Sequence, residues 1–154
     1  MPRSPSPRRL AIPVIVTLLG PALVLAGCSS GNVENSALAE VTPARTLPIE
    51  LRDIAYSVPT VEVTQGEVVD LELRNVGALS HDFTVNEMPV EKLVIGENAG
   101  VHRAHLSRYA LHAGPEIGDT VSLRIRPTKA GSYTFYCATE GHRAAGMTGT
   151  LVVR

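Results

Sequence analysis

Most of the sequence after residue 46 consists of short runs in which apolar and polar residues alternate, and this alternation limits the fold more than any other feature. Successive side chains of a β-strand point to opposite faces of a sheet, so the pattern predicts strands with one buried face. Gly, Pro and Asp residues separate the runs, as expected for turns. The runs lie at residues 47–54, 60–63, 69–74, 81–85, 121–126, 133–136 and 148–153. They predict an all-β fold, an antiparallel β-sandwich of about seven to eight strands, in a domain spanning residues 47–154.

One stretch of this domain, residues 87–117, has no clean strand pattern. A segment of that length without regular structure usually has a function or contains a short helix. Residues 101–111 are the candidate helix, closely bracketed by Gly100 and Gly114. We therefore expect one long irregular or partly helical insertion in the sandwich.

The amino terminus is expected to be a targeting signal and not part of the fold. Three arginines precede an apolar stretch, which ends in small residues directly before Cys28. This arrangement is typical of a secretory signal, and residues 25–28 (Leu-Ala-Gly-Cys) resemble a bacterial lipobox. The resemblance implies a lipoprotein signal peptide at residues 1–27, acylation of Cys28, and a lipid anchor in a cell membrane, facing the periplasm or the cell exterior. An ordinary signal peptide or a retained single-span anchor is the alternative.

The composition of the remaining chain excludes some partners. Removal of residues 1–27 leaves 11 basic residues against all 15 acidic ones. A mildly acidic chain without a basic stripe is not expected to bind nucleic acid. Residues 28–46 are small and polar without a sustained period, which favours a flexible tether. Because the chain has no Trp, two Phe and four Tyr, the core must be built mainly from Val, Leu and Ile.

The number of cysteines indicates a special role for Cys137. The chain contains two cysteines, and lipidation of Cys28 would leave Cys137 without an intrachain disulfide partner. Free thiols in exported proteins are usually oxidised or paired. Metal ligation is a physical reason for keeping one.

Cys137, His142 and Met147 follow one another at intervals of five residues, directly after a predicted strand. One loop can therefore deliver a thiolate, an imidazole and a thioether to one point, and His81 from a distant strand would fix that loop to the sandwich. Two histidines, one cysteine and a weak, distant methionine are the ligands of a type 1 copper centre, whereas structural zinc needs four strong ligands. The alternative is that Cys137 and Met147 fill the core and His142 caps a turn.

On these residues the chain resembles the cupredoxins, the small blue copper proteins that include plastocyanin, azurin and auracyanin. The resemblance covers about residues 47–154 and rests on the Cys-x4-His-x4-Met loop, on its flanking segments 131–137 and 146–153, and on His81. It implies a Greek-key β-sandwich that holds one copper ion. The ligands that it implies are His81, Cys137, His142 and, in the axial position, Met147.

The resemblance also implies a docking surface for partner proteins. Cupredoxins expose the ring that corresponds to His142 through an apolar patch, at which a redox protein docks weakly and briefly. The candidate patch residues are Ala144, Ala145, Gly146 and Pro89. The alternative is that these small residues only satisfy turn geometry. Where many members have Asn directly after the first His, this chain has Asp82, which changes the surroundings of the ligands.

Three further histidines, His102, His105 and His112, lie in the irregular stretch. The first two are spaced i, i+3 and would share one face of a helix, where they could bind a second metal ion. Without a third ligand nearby, roles at the surface or in hydrogen bonds are favoured.

The expected function is that of a monomeric, membrane-tethered one-electron carrier, not an enzyme, which exchanges electrons with redox proteins. A copper-binding module for storage, delivery or sensing, without a redox partner, is the alternative. Delivery modules usually have clusters of exchangeable Met and His, and this chain has three Met in all. A multicopper enzyme ranks third, because such enzymes need additional copper centres and more domains.

Overall fold

Two five-stranded sheets form the protein in the computed structural model, which describes residues 36–95 and 108–154. In chain order the elements are α1 (Ser36–Ala39), β1 (Arg45–Arg52), β2 (Ala55–Tyr56), β3 (Thr60–Val63), β4 (Val69–Asn75), β5 (Phe83–Val85), β6 (Val90–Ile95), β7 (Leu111–Ala113), β8 (Thr120–Pro127), β9 (Gly131–Tyr136) and β10 (Thr148–Val153). No helix among these residues is long and apolar enough to cross a membrane. The predicted all-β sandwich is confirmed.

The first sheet has the strand order β2-β1-β4-β8-β6, and the second has the order β3-β10-β9-β5-β7. Two pairs, β1 with β4 and β3 with β10, are parallel, and the other pairs are antiparallel. The purely antiparallel arrangement expected from the sequence is therefore wrong for these two pairs. Alternation fixes which face of a strand is buried, but it does not fix the neighbour. Here the chain crosses to the second sheet to form β3, and it then returns to the first sheet, where β4 pairs with β1 in parallel.

The core lies between the sheets and consists mainly of Val, Leu and Ile, as the composition predicts. In β8 every second residue, from Val121 to Ile125, is buried, which matches the sequence pattern. Aromatic rings fill the centre: Phe83 and Phe135 stack with centroids 4.6 Å apart, and Tyr56 meets Phe135 edge-on at 4.9 Å. Burial of each such large side chain contributes about 1.5–3 kcal/mol to folding.

The stretch expected to be irregular or partly helical contains two strands, β6 and β7. β6 is an edge strand whose residues are half-buried on both faces, because α1 packs beside it, so its sequence shows no alternation. β7 has three residues, too few to show a period. Of the candidate helix, residues 101–107 lie outside the described residues and residues 108–110 form a turn and bend.

The folded part of the chain begins earlier than residue 47. The Leu38 side chain of α1 is fully buried. The guanidinium of Arg124 donates to the carbonyl oxygens of Leu38 (3.2 Å) and Val41 (2.8 Å) and to both carboxylate oxygens of Asp70 (2.7 and 2.9 Å). The later part of the predicted tether therefore lies on the first sheet, whereas residues 28–35 lie outside the described residues.

The sandwich has two distinct ends. At the end that we call the site end, β1 and β4 finish next to the start of β8, and Val76 N–H donates to the Leu51 carbonyl. At the opposite end, the far end, β1 and β4 begin and Gly66 N–H donates to the Pro127 carbonyl. The second sheet contributes the carboxyl end of β9 and the start of β10 to the site end.

Candidate metal centre

Cys137 directly follows β9, and its side chain is completely buried. Its N–H donates to the Met147 carbonyl (3.1 Å), and its Sγ accepts a hydrogen bond from the Asp82 N–H (3.4 Å). Burial raises the pKa of the Cys137 thiol above its ordinary value, although hydrogen bonds from Thr139 and Asp82 oppose the shift. Without a metal ion the sulfur is therefore protonated at neutral pH, and a bound cation would displace that proton.

The loop after Cys137 is closed by its own backbone. Met147 N–H donates to the His142 carbonyl (3.0 Å), so that the loop returns to its start before β10 begins. Gly141 and Gly146 directly precede these two residues and have φ values of 81° and 101°, a left-handed conformation that favours glycine. The result places His142 Nδ1 at 3.5 Å from Cys137 Sγ.

His81 reaches the same point from the loop before β5. Its ring is buried, and its Nε2 lies 3.2 Å from Asp53 Oδ1, which also accepts hydrogen bonds from the N–H groups of Ala78 and Leu79. The hydrogen bond with His81 lowers the pKa of Asp53, so the carboxylate is ionised at neutral pH and accepts a hydrogen bond from the Nε2–H group. In the neutral imidazole, Nδ1 then carries a lone pair.

That lone pair has no partner. His81 Nδ1 is the one buried side-chain nitrogen or oxygen atom in the described ranges, 36–95 and 108–154, without a hydrogen bond. Native proteins rarely keep such an atom, because its lost hydration costs about 1–3 kcal/mol. The ligand atoms of His81, Cys137 and His142 all lie within 4.8 Å of one another. Two imidazole nitrogens and one sulfur that converge in this way fit a soft transition-metal ion such as copper.

Met147, the fourth predicted ligand, is fully buried. Its backbone is hydrogen-bonded to both Cys137 and His142, so its thioether belongs to the same compact loop. The structure therefore brings three of the predicted ligand atoms together and places the fourth residue beside two of them.

Asp82 ties the two ligand segments together. Its carboxylate accepts the Ala138 N–H on both oxygens (2.9 and 3.0 Å) and the Thr84 hydroxyl on Oδ1 (2.6 Å), and its Oδ2 lies 3.7 Å from Cys137 Sγ. Its carbonyl oxygen accepts the Tyr56 hydroxyl (2.6 Å). Asp82 thus connects the two ligand segments, and when ionised it can only accept hydrogen bonds and carries a negative charge.

The residues that hold His81 show no pattern in the sequence. A Cβ on Gly77 would collide with Asp53 Oδ1 and come within 3.0 Å of His81 Nε2, so the backbone must be bare there. Ile54, directly after Asp53, has a φ of 60°, which is strained for a β-branched residue. Asp53 lies 28 residues from His81, and no local pattern predicts their contact.

The apolar patch differs from the expected one. Ala144, Ala145 and Gly146 are exposed beside His142, a residue that is 9% exposed. Pro89 is at the far end, where its carbonyl accepts the Thr128 N–H, and its assignment to this patch is wrong. Four of the five exposed large hydrophobic residues of the described chain lie instead in loops at the site end. They are Ile54, Val76, Leu79 and Ile117.

The remaining histidines do not form a second centre among residues 36–95 and 108–154. The one group of three or more His, Cys, Asp and Glu ligands found there is the group that contains Cys137. His102 and His105 lie outside the described residues, and His112 is a buried residue of β7 whose Nδ1 is 2.8 Å from Thr84 Oγ1.

Comparisons with known proteins agree with this geometry. The chain is 29% identical over 121 residues to the copper-resistant cuproprotein CopI of Rubrivivax gelatinosus. This match covers 71% of this chain and 67% of the relative. The solved structure of auracyanin B superposes with a TM-score of 0.55 at 22% identity, covering 74% of this chain and 91% of that one. A multicopper oxidase of Campylobacter jejuni superposes with a TM-score of 0.54 at 14% identity, but only 30% of its chain is covered. At these identities the structural matches support the fold alone.

A family model gives the assignment. Residues 44–154 match the model for copper-binding proteins of the plastocyanin/azurin family. The match contains the whole sandwich from β1 onward and every predicted ligand. The chain therefore belongs to the plastocyanin/azurin family of copper-binding proteins, and the predicted cofactor, copper, is confirmed.

Proposed function

We propose that the protein is a one-electron carrier and not an enzyme. Cys137, His142 and His81 would hold the copper ion, with the thioether of Met147 as a weaker ligand. A bound copper ion would supply the Cu(II)/Cu(I) couple in this site. The protein itself fixes the ligand positions and keeps water away from the buried sulfur.

The observation that most supports this proposal is the unpartnered Nδ1 of His81, a residue whose imidazole lies within 4.8 Å of the buried Cys137 sulfur. Asp53 holds the other nitrogen of that ring, and the backbone at Cys137 and Met147 closes the ligand loop. The ligand atoms are therefore held close together before any metal arrives, and little needs to move when the charge of the ion changes. Small rearrangement on oxidation and reduction is the physical requirement for fast electron transfer.

The surface around the site supports docking of a redox protein. Ala144 and Ala145 are exposed next to the ring of His142, and the exposed apolar residues of the neighbouring loops lie at the same end. Thr139 Oγ1 donates to the Ser80 carbonyl (3.1 Å) and joins the ligand loop to the loop that holds Leu79. Exposed apolar surface of this kind marks contact sites between proteins. We propose that a redox partner approaches this face and that the monomer binds it transiently.

We also propose that the chain is exported and anchored through a lipid on Cys28, as the lipobox resemblance implies. Incorporation of labelled fatty acid into the full-length chain, and its recovery with membranes, would support this. A Cys28→Ser variant should incorporate no label. Labelling of that variant would refute the assignment of the anchor without affecting the copper site.

The test of the carrier begins with the absorption and EPR spectra of the full-length chain after addition of Cu(II). We expect an intense blue colour with small copper hyperfine splitting, followed by a reversible one-electron potential and fast self-exchange. Cys137→Ser should abolish the colour. A colourless or pale wild-type protein would refute the type 1 centre.

A role in copper resistance is the second candidate, because the CopI relative is named a copper-resistant cuproprotein. In that case copper should pass readily to a chelator or an acceptor protein, and self-exchange should be slow. The burial of Cys137 and His81 favours the carrier, since sites that exchange their ion are usually more accessible.

A further inference from the structure

A line of buried hydrogen bonds leaves the ligand cluster through Asp82. His112 Nδ1 lies 2.8 Å from Thr84 Oγ1, and Thr84 Oγ1 donates to Asp82 Oδ1 at 2.6 Å. Asp82 Oδ2 in turn lies 3.7 Å from Cys137 Sγ. These side chains are at least nine-tenths buried. In an environment of low dielectric constant, such connected hydrogen bonds strengthen one another.

The direction of each hydrogen bond follows from its partners. A threonine hydroxyl has one proton, and Thr84 donates it to the carboxylate of Asp82. The hydroxyl must then accept the second hydrogen bond, so Nδ1 of His112 carries a proton. The N–H group of His112 therefore points toward the Thr84 oxygen, and the O–H group of Thr84 points toward Asp82, so both dipoles have their positive ends on the Asp82 side. Both oxygens of the Asp82 side chain accept hydrogen bonds, from Thr84 and from the Ala138 N–H.

We propose that His112, Thr84 and Asp82 form a relay that sets the reduction potential of the metal centre by fixing the charge beside the Cys137 sulfur. The proposal rests on the type 1 centre proposed above. A negative carboxylate next to the sulfur favours the more highly charged Cu(II) and lowers the potential. The Thr84 hydroxyl, polarised by His112, withdraws part of that charge and raises the potential. The three are positioning residues, since none of them is a proposed ligand.

The two halves of the relay therefore have effects of opposite sign. Asp82→Asn keeps the shape and removes the charge, so the potential should rise. Thr84→Val keeps the shape and removes the dipole, so the potential should fall. Changes to groups around a metal ligand typically alter metal affinity by 10–100-fold. A tenfold change in the ratio of the Cu(II) and Cu(I) binding constants corresponds to about 59 mV for a one-electron couple.

The experiment measures reduction potentials and absorption spectra of the copper-loaded full-length protein. It compares Asp82→Asn, Thr84→Val, the double variant and His112→Phe with the wild type. We expect a rise for the first, a fall for the second, and a smaller fall for His112→Phe. Thr84→Ser, which keeps the hydroxyl, is the matched control and should leave the potential unchanged. In the Asp82→Asn background the effect of Thr84→Val should largely disappear, since the relay then has no charge to act on.

Thermal unfolding of the metal-free variants separates the relay from a merely structural role. Loss of stability without a change of potential in any variant would overturn the relay, as would shifts of equal sign for Asp82→Asn and Thr84→Val. A wild-type protein with a blue centre but insensitive variants would refute the relay and leave the carrier standing. A wild-type protein without a blue centre would refute both. If Thr84→Val does not fold, His112→Phe tests the same half of the relay.

Discussion

Two regions of the molecule bury polar side chains, and they differ in how completely their hydrogen bonds are made. Under α1, the guanidinium of Arg124 meets both oxygens of Asp70 and two backbone carbonyls. At the site end, His81 uses one ring nitrogen and leaves the other without a partner. The first cluster is complete within the protein and therefore serves structure. The second is complete only when something else binds, and this difference identifies the metal centre.

Removing His81 should give the largest effect and tests the comparison directly. In His81→Leu the unpartnered nitrogen is gone, so the free energy of unfolding of the metal-free protein should change by less than about 1 kcal/mol. Copper affinity should fall by on the order of 10³, about 4 kcal/mol, and the blue colour should be lost. Chemical denaturation and copper titration measure the two quantities. A destabilisation of several kcal/mol in the metal-free state would show that the ring is structural.

Removing Arg124 should give the opposite result. Arg124→Met leaves the Asp70 carboxylate buried without its cation, which should cost about 2–3 kcal/mol of unfolding free energy. The copper spectrum should not change. Arg126→Met is the matched control, because its pair with Glu91 on the same sheet is more exposed and is worth less than about 1 kcal/mol. Equal costs for the two variants would contradict the distinction.

Gly77→Ala should have a moderate effect that links the support of His81 to copper. The added methyl group would push Asp53 away from the His81 ring, at a cost of about 1–3 kcal/mol for overpacking. Copper affinity should fall about tenfold, as is common when a group that orients a ligand is moved. Gly118→Ala is the control: it strains a left-handed residue at the site end, but its Cβ meets no atom. An unchanged copper spectrum in Gly77→Ala would mean that Asp53 does not orient the ring.

The smallest effect concerns pH. The bond from His81 lowers the pKa of Asp53 below its ordinary 3.8, so this contribution to stability is present above that pH and is lost as the pH falls through the lowered pKa. In the metal-free Asp53→Asn variant, the free energy of unfolding should fall less steeply between pH 7 and pH 3 than in the wild type. Chemical denaturation at a series of pH values measures this slope. At the far end, Arg45 lowers the pKa of Glu67 in the same direction. Glu67→Gln should also reduce the loss of unfolding free energy at low pH, but it should not alter copper binding.

The sequence predicts those parts of the fold whose signal is local. Alternation locates β4 and β8 to within a residue or two, because in each strand the apolar residues face the core and the polar residues lie on the opposite face. It fails for β6, whose two faces are both half-buried beside α1. It also gives no sign that Leu38 is buried, since α1 has only four residues and Leu38 is buried by its tertiary contacts and not by a periodic pattern.

The site divides in the same way. Cys137, His142 and Met147 lie in one loop, so their spacing alone predicts a shared site. The residues around them come together only through strand pairing: Asp53 reaches His81 across 28 residues, and Asp82 reaches Ala138 across 56. The pairing of β5 with β7 likewise places Thr84 opposite His112. No local pattern encodes such contacts, and a single sequence cannot reveal them.

The position at which the chain enters the sandwich matters if the protein is anchored to a membrane through its amino-terminal segment. β1 begins at the far end, and the chain advances eight residues, roughly 26 Å at 3.3 Å per residue, before it reaches Asp53 beside His81. With a lipid on Cys28, as proposed, the chain that leads from the anchor would enter β1 at this far end, opposite to the ligands. The candidate metal centre and the exposed hydrophobic side chains near it lie at the other end of that strand, so the point of entry leaves them accessible.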